Sequence, residues 1–197
     1  TDSPETLAVY PYRFAFRIRY ALEGPVLQVA FQVENRSEEP LYCGMGGHPG
    51  FNVPLEEGLT FEDYELTFPE ACTPRQVVFS PALQVAPERP AYPLEEGRKL
   101  PLRHELFDLD AVVLAGAPRQ VTLSSPKGSH GVTVAYPQMP YVGFWHKPQT
   151  DAPYVCIEPW SVLPGRDNLV EELSQMPDMT TVAPGQTFEN RWSITIW

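Results

Sequence analysis

An apolar residue at every second position is the feature that most constrains this chain. In "RFAFRIRY" the even positions Phe14, Phe16, Ile18 and Tyr20 are apolar, while Arg13, Arg17 and Arg19 hold odd ones. In "VLQVAFQVEN" the apolar set is Leu27, Val29, Phe31 and Val33. Side chains alternate across a strand, so this period reads as strand with one dry face and one wet face. The arginine row is then the solvated face and not an anion site. "LEGP" supplies a turn, and the two runs predict an antiparallel hairpin. Further strand runs are "YELTF" (64–68), "QVVFS" (76–80), "AVVLA" (111–115), "QVTLSS" (120–125), "GVTVAY" (131–136), "YVGFW" (141–145), "YVCIE" (154–158) and the closing "TFENRWSITIW". Only "NLVEELSQM" carries a helical pattern. The 23 prolines exclude a helical bundle, since proline breaks helix interiors. Short strands at close spacing with turn signals between them predict an all-β sandwich or barrel.

A chain of 197 residues is read as one domain over 1–197, with no linker or repeat. Its net charge of -11 repels phosphates, which argues against nucleic acid and anionic membrane as partners. No apolar run is long enough to span a bilayer. Cys43, Cys72 and Cys156 are odd in number and widely spaced, so reduced thiols in a cytoplasm are expected. The first strong strand begins almost at once, and a hairpin needs more sheet beside it. A second chain or a preceding segment is therefore expected to complete the sheet.

"CGMGGHPGFNVP" sets His48 among four glycines and two prolines. Glycine permits positive φ or close backbone approach, and Pro49 biases His48 towards extended geometry. A rigid bend presenting an imidazole suits either proton transfer near neutral pH or a turn hydrogen bond. "YVCIEPW" ends an apolar run in Glu158, with Tyr154 and Cys156 on the same strand face. A carboxylate among aromatics is desolvated, which raises its pKa and suits a general base; a solvated strand end is the plainer alternative. Trp145 and Trp160 can each floor a sugar ring or fill a core. Asp110, in "HELFDLDAVVL", can hold a hydroxyl or simply terminate a turn. His104, His130 and His146 are scattered. The spacing of Cys43 and His48 predicts no zinc site. Nothing marks Cys156 as an activated nucleophile, and phosphate-loop, dinucleotide and G-x-S-x-G signatures are missing.

"GGHPGFNVPL" and "YVCIEPW" together resemble the aldose 1-epimerase, or galactose mutarotase-like, family, in its bacterial branch of undefined sugar specificity. "HELFDLDAVVL" and "MTTVAPGQTFENRWSITI" are similar to its middle and closing segments. The resemblance implies a large antiparallel β-sandwich, a galactose mutarotase-like supersandwich, with an open sugar cleft and no cofactor. It implies His48 as general acid and Glu158 as general base, at opposing edges of one pyranose. Asp110, Trp160, Trp145, Phe51 and Asn52 are the implied substrate-binding residues. Family members carry strands ahead of the segment with which this chain opens, and an arginine and a histidine from those strands do not map here. The expected reaction interconverts the anomers of a hexose. The alternatives are a non-catalytic carbohydrate-binding sandwich, a hexose-6-phosphate 1-epimerase that would use Arg166, and a structural interaction domain.

Overall fold

The computed structural model describes residues 1–197. Its strands are β1 (Phe14–Glu23), β2 (Val26–Asn35), β3 (Leu41–Cys43), β4 (Gly50–Asn52), β5 (Glu65–Thr67), β6 (Arg75–Val77) and β7 (Lys99–Pro101). They continue with β8 (Val112–Ala115), β9 (Gln120–Ser124), β10 (Gly131–Ala135), β11 (Tyr141–Trp145), β12 (Tyr154–Trp160), β13 (Thr180–Val182) and β14 (Thr187–Ile196). Seven form one sheet in the order β1-β2-β14-β10-β9-β5-β7, and five form a second in the order β4-β12-β11-β8-β6. β13 and β3 make a separate pair. The named strand pairings are antiparallel. No helix is long and apolar enough to cross a membrane.

The two large sheets bury a common core. Val29, Trp192, Val134 and Leu123 of the first sheet join Leu114, Phe144, Val155 and Ile157 of the second in one cluster. Alternation then decides the site. With Val155 and Ile157 turned inward, Tyr154, Cys156, Glu158 and Trp160 of β12 occupy the opposite face of the five-stranded sheet. Likewise Val142 and Phe144 of β11 face the core, leaving Tyr141, Gly143 and Trp145 on the outer face. Register sets Gly143 opposite Glu158 and Trp145 opposite Cys156.

Three expectations are corrected. β1 pairs with β2 as predicted, in the register Phe16↔Val33 and Ile18↔Phe31, but its apolar face is not buried. Phe16, Ile18, Tyr20 and Leu22 are all exposed, since β1 is the sheet edge; only Phe14, at its start, packs beside Val33, Leu41 and Val182. "NLVEELSQM" is not a helix; only Leu173–Gln175 form a single 3-10 turn. Leu169 and Val170 point to solvent, so no apolar stripe is packed to support a helix. The real helix, α1 (Pro4–Val9), lies at the start, where Ser3 and Thr6 form a capping box and Pro4 opens the first turn.

Candidate active site

His48 sits in the crossing from β3 to β4, held against the β12 edge by main chain. The Gly47 N–H donates to Pro159 O at 3.0 Å, and the Ile157 N–H donates to Pro49 O at 3.1 Å. Gly46 bridges Trp160. The glycines serve close approach and not positive φ, which neither adopts. A Cβ on Gly46 would lie 2.9 Å from Trp160 Cδ1, and one on Gly47 would lie 2.7 Å from Trp192 Cζ2. The backbone is thus pressed against two indoles, and His48 is the first full side chain beyond that contact.

The result is a close pair. His48 Nε2 lies 3.3 Å from Glu158 Oε1, with side-chain exposures of 61% and 6%. They meet because the His48 loop is bonded directly along β12. Burial pushes the Glu158 carboxyl above its ordinary range. The His48 imidazole and the Trp160 side chain oppose that rise, and nearby Asp110 adds to it. The His48 ring meets Trp145 edge-on, with centroids 5.8 Å apart.

These residues line a cavity of about 310 Å³. His48 and Glu158 supply its proton-carrying groups, Trp145 and Trp160 its aromatic walls, and Asp110 a second carboxylate. Phe79, Leu83 and Pro164 close its remaining side. Asp110 has φ of +105°, a region costing a non-glycine residue about 1–3 kcal/mol. The turn that imposes this is fixed from both sides. The Asp110 N–H donates to Phe107 O at 3.0 Å, and its Oδ1 accepts from the Ala111 N–H at 2.9 Å.

Phe51 and Asn52 do not line the cavity. Phe51 pairs with Val155 and packs against the core. Asn52 pairs with Tyr154 at the far end of β12. Arg166 is also outside it and is held by Glu171 Oε1, 3.0 Å from its Nε. Phe79 falls in the predicted strand run 76–80, but β6 ends at Val77 and leaves it to fold down over the sheet; Leu83 and Pro164 carried no sequence signal, because such covering segments have no period. Gly143 did carry a signal, as a glycine within a strand: a Cβ there would meet Glu158 Cβ and Trp160 Cζ2 at 3.5 Å. Cys156 is buried, and its thiol is pushed up to about 11, which agrees with an unactivated sulfur. His146 is fully buried, and its Nε2 lies 3.0 Å from His104 Nδ1.

A larger cavity of about 350 Å³ lies elsewhere, between β1 and β3. Its lining is almost wholly apolar, including Phe14, Leu41 and Met45. It holds no imidazole or carboxylate.

Comparison with known proteins gives the family and the fold relatives. The chromosomal LacX protein of Lactococcus lactis is 34% identical over 98% of this chain and 65% of its own length. The chain therefore spans less than two thirds of that relative. A galactose mutarotase related enzyme of Lactobacillus acidophilus superposes with a TM-score of 0.91 at 31% identity, covering 100% of this chain and 65% of its own. A galactose mutarotase-like protein of Lactobacillus casei gives 0.89 at 27% identity, covering 100% and 67%. The model of the aldose 1-epimerase family matches residues 1–195, and the chain belongs to that family.

Proposed function

We propose that this cleft interconverts the α and β anomers of a neutral hexose or related aldose. The observation that carries the reading is the 3.3 Å separation of His48 Nε2 and Glu158 Oε1 inside a cavity walled by tryptophans. The ring oxygen O5 and the anomeric oxygen O1 are bonded to the same carbon. An acid and a base that must serve both at once have to stand side by side, as these do.

The proton accounting closes. Ionised Glu158 takes the proton of O1–H as C1=O1 forms. The C1–O5 bond breaks, and its electron pair receives a proton from His48 imidazolium at O5. Rotation about C1–C2 turns the other face of the aldehyde towards O5. On closure His48 recovers its proton from O5–H, and protonated Glu158 returns its own to O1. Each positioned acid or base contributes about 10²–10⁴-fold. Asp110 accepts from a sugar hydroxyl, and the indoles of Trp145 and Trp160 cover the apolar C–H faces.

Neither lysine nor arginine lines the cavity, which favours a neutral sugar over a 6-phosphate. A purely sugar-binding sandwich has no use for a buried carboxylate against an imidazole. Polarimetry of freshly dissolved α-aldoses tests the proposal. The parent chain is expected to accelerate mutarotation, and Glu158→Gln to abolish the acceleration with the fold intact. Equal rates for the two chains would remove Glu158 from the chemistry. Sugar binding without any acceleration would support the non-catalytic alternative.

A further inference from the structure

Cys156 is the buried one of the three free cysteines, and the proposed reaction does not use it. Alternation along β12 places it on the face of Glu158, two residues away. Its Sγ, a Glu158 carboxylate oxygen and a ring nitrogen of His48 all lie within 4.8 Å of one another. We propose that these three groups form a binding site for a thiophilic divalent cation of the zinc class, and that its occupancy shuts the cleft down.

The donor set selects the ion. Thiolate and imidazole discriminate against magnesium and calcium, while sulfur, nitrogen and one carboxylate oxygen suit zinc or cobalt. The spacing fits as well. Tetrahedral zinc, with bonds of about 2.0–2.2 Å to nitrogen and oxygen, holds such a pair about 3.4 Å apart. His48 Nε2 and Glu158 Oε1 are already 3.3 Å apart. A thiolate and an imidazole on the same ion stand about 3.6 Å apart, so the sulfur and the ring have little distance to close. The exposed imidazole can rotate to do it. Coordination deprotonates a thiol outright, the proton passing to solvent, and the cation gives the buried Glu158 a stronger positive neighbour than His48 alone. Three protein ligands leave a fourth position facing the cavity, where water or Asp110 completes the shell.

Binding stands independently of the proposed reaction; the shutdown rests on it, since the ion engages the pair that moves the protons. Calorimetric titration of zinc chloride into the 197-residue chain is expected to show one ion per chain, with no comparable binding of magnesium. Cobalt(II) is expected to produce a thiolate-to-metal charge-transfer band in the near ultraviolet. Losing even an outer-sphere partner weakens a metal by about 10–100-fold, so Cys156→Ser is expected to cost at least that much and to abolish the band. The same variant is expected to keep its basal mutarotation rate while resisting zinc inhibition. Cys156→Ala, checked by circular dichroism, replaces it if the serine disturbs folding. Zinc affinity unchanged in both variants, or no cobalt band in the parent, overturns the site. A cysteine-dependent band in a chain without mutarotation would leave the site standing and sink the reaction instead.

Discussion

Nε2 of His48 and Oε1 of Glu158 lie 3.3 Å apart although 110 residues separate them along the chain. Main-chain hydrogen bonds on either side of His48 tie its loop to β12, so the same strand that carries the carboxylate also positions the imidazole. Moving either backbone segment requires breaking these main-chain bonds. The pair is therefore held in place before any substrate arrives, which is where much of the benefit of orientation in catalysis arises.

The pH profile follows from the environment of Glu158. Burial raises its pKa, and the His48 imidazole is the largest influence holding it down. As the base, Glu158 must be ionised. The acid limb of kcat/KM is accordingly expected above 4.5, the ordinary value for glutamate, with activity lost as pH falls through the raised value. His48→Gln removes the opposing cation. Its residual activity is expected to fall by about 10²–10⁴-fold, and its acid limb to move to higher pH. Polarimetric rates across a pH series check both; an acid limb that stays in place in the variant would contradict the pairing.

The same shift predicts a stability change. A carboxyl whose pKa is raised by folding binds more protons in the native state than in the unfolded one. Its favourable contribution is complete below the unfolded value and is lost as pH rises through the folded value. At neutral pH an ionised Glu158 is therefore a burden, and each tenfold change in its proton affinity is worth about 1.4 kcal/mol. Glu158→Gln is expected to be inactive yet more stable than the parent at pH 7. The gain should shrink as pH falls towards 4.5. Urea unfolding at several pH values reads this directly, and a neutral-pH loss of stability would refute it.

Much of this fold is legible because period two survives burial: β11 occupies the predicted 141–145, and β12 starts at the predicted Tyr154. His48 and Glu158 were findable because a histidine among glycines and a glutamate ending an apolar run are both locally odd. What failed has a common cause. Whether the apolar face of β1 is covered depends on elements far away in sequence, so alternation gave the strand but not its exposure. The resemblance implies Phe51 as a site residue, yet it pairs with Val155 and packs against the core. The three-residue strands β3, β4, β7 and β13 show no period; β5 and β6 are as short and were legible only because their apolar runs, 64–68 and 76–80, extend beyond the ladder. α1 did carry a signal, Ser3 before Pro4 with Thr6 behind it, and its six residues leave no room for an apolar stripe.

Gly47 is expected to resist even a methyl group. A Cβ there would meet Trp192 Cζ2 at 2.7 Å, and Trp192 is buried in the core. Gly47→Ala must push the His48 loop off β12 or displace the indole. Overpacking of this kind costs about 1–3 kcal/mol, roughly 2–4 °C in Tm per kcal/mol for a chain of this size. A displacement of about 1 Å at a catalytic group costs about 10²-fold in rate, so kcat is expected to fall well beyond what the lost stability explains. Gly50→Ala is the control, since its Cβ meets only Cys156 Sγ at an ordinary 3.5 Å. Thermal melts and polarimetry of both variants separate the two positions; equal behaviour would mean that Gly47 does not set the placement of His48.

Asp110 provides a reversal of the usual glycine penalty. Its φ of +105° is costly for any side chain with a Cβ and cheap for glycine. The Asp110 N–H to Phe107 O bond and the Ala111 N–H to Asp110 Oδ1 bond hold the turn, and only the second needs the carboxylate. Replacing Asp110 by alanine loses that bond and keeps the strain. Replacing it by glycine loses the bond but releases the strain. Glycine normally costs about 0.5–1 kcal/mol relative to alanine within regular structure. Here Asp110→Gly is expected to exceed Asp110→Ala in stability by about 1–3 kcal/mol. Both variants lose the carboxylate from the cleft and are expected to raise KM for the sugar alike. Urea midpoints and substrate saturation curves give the two readings on the same samples. An alanine variant as stable as the glycine one would show that the turn relaxes, and that Asp110 is not held under strain for its place beside Glu158.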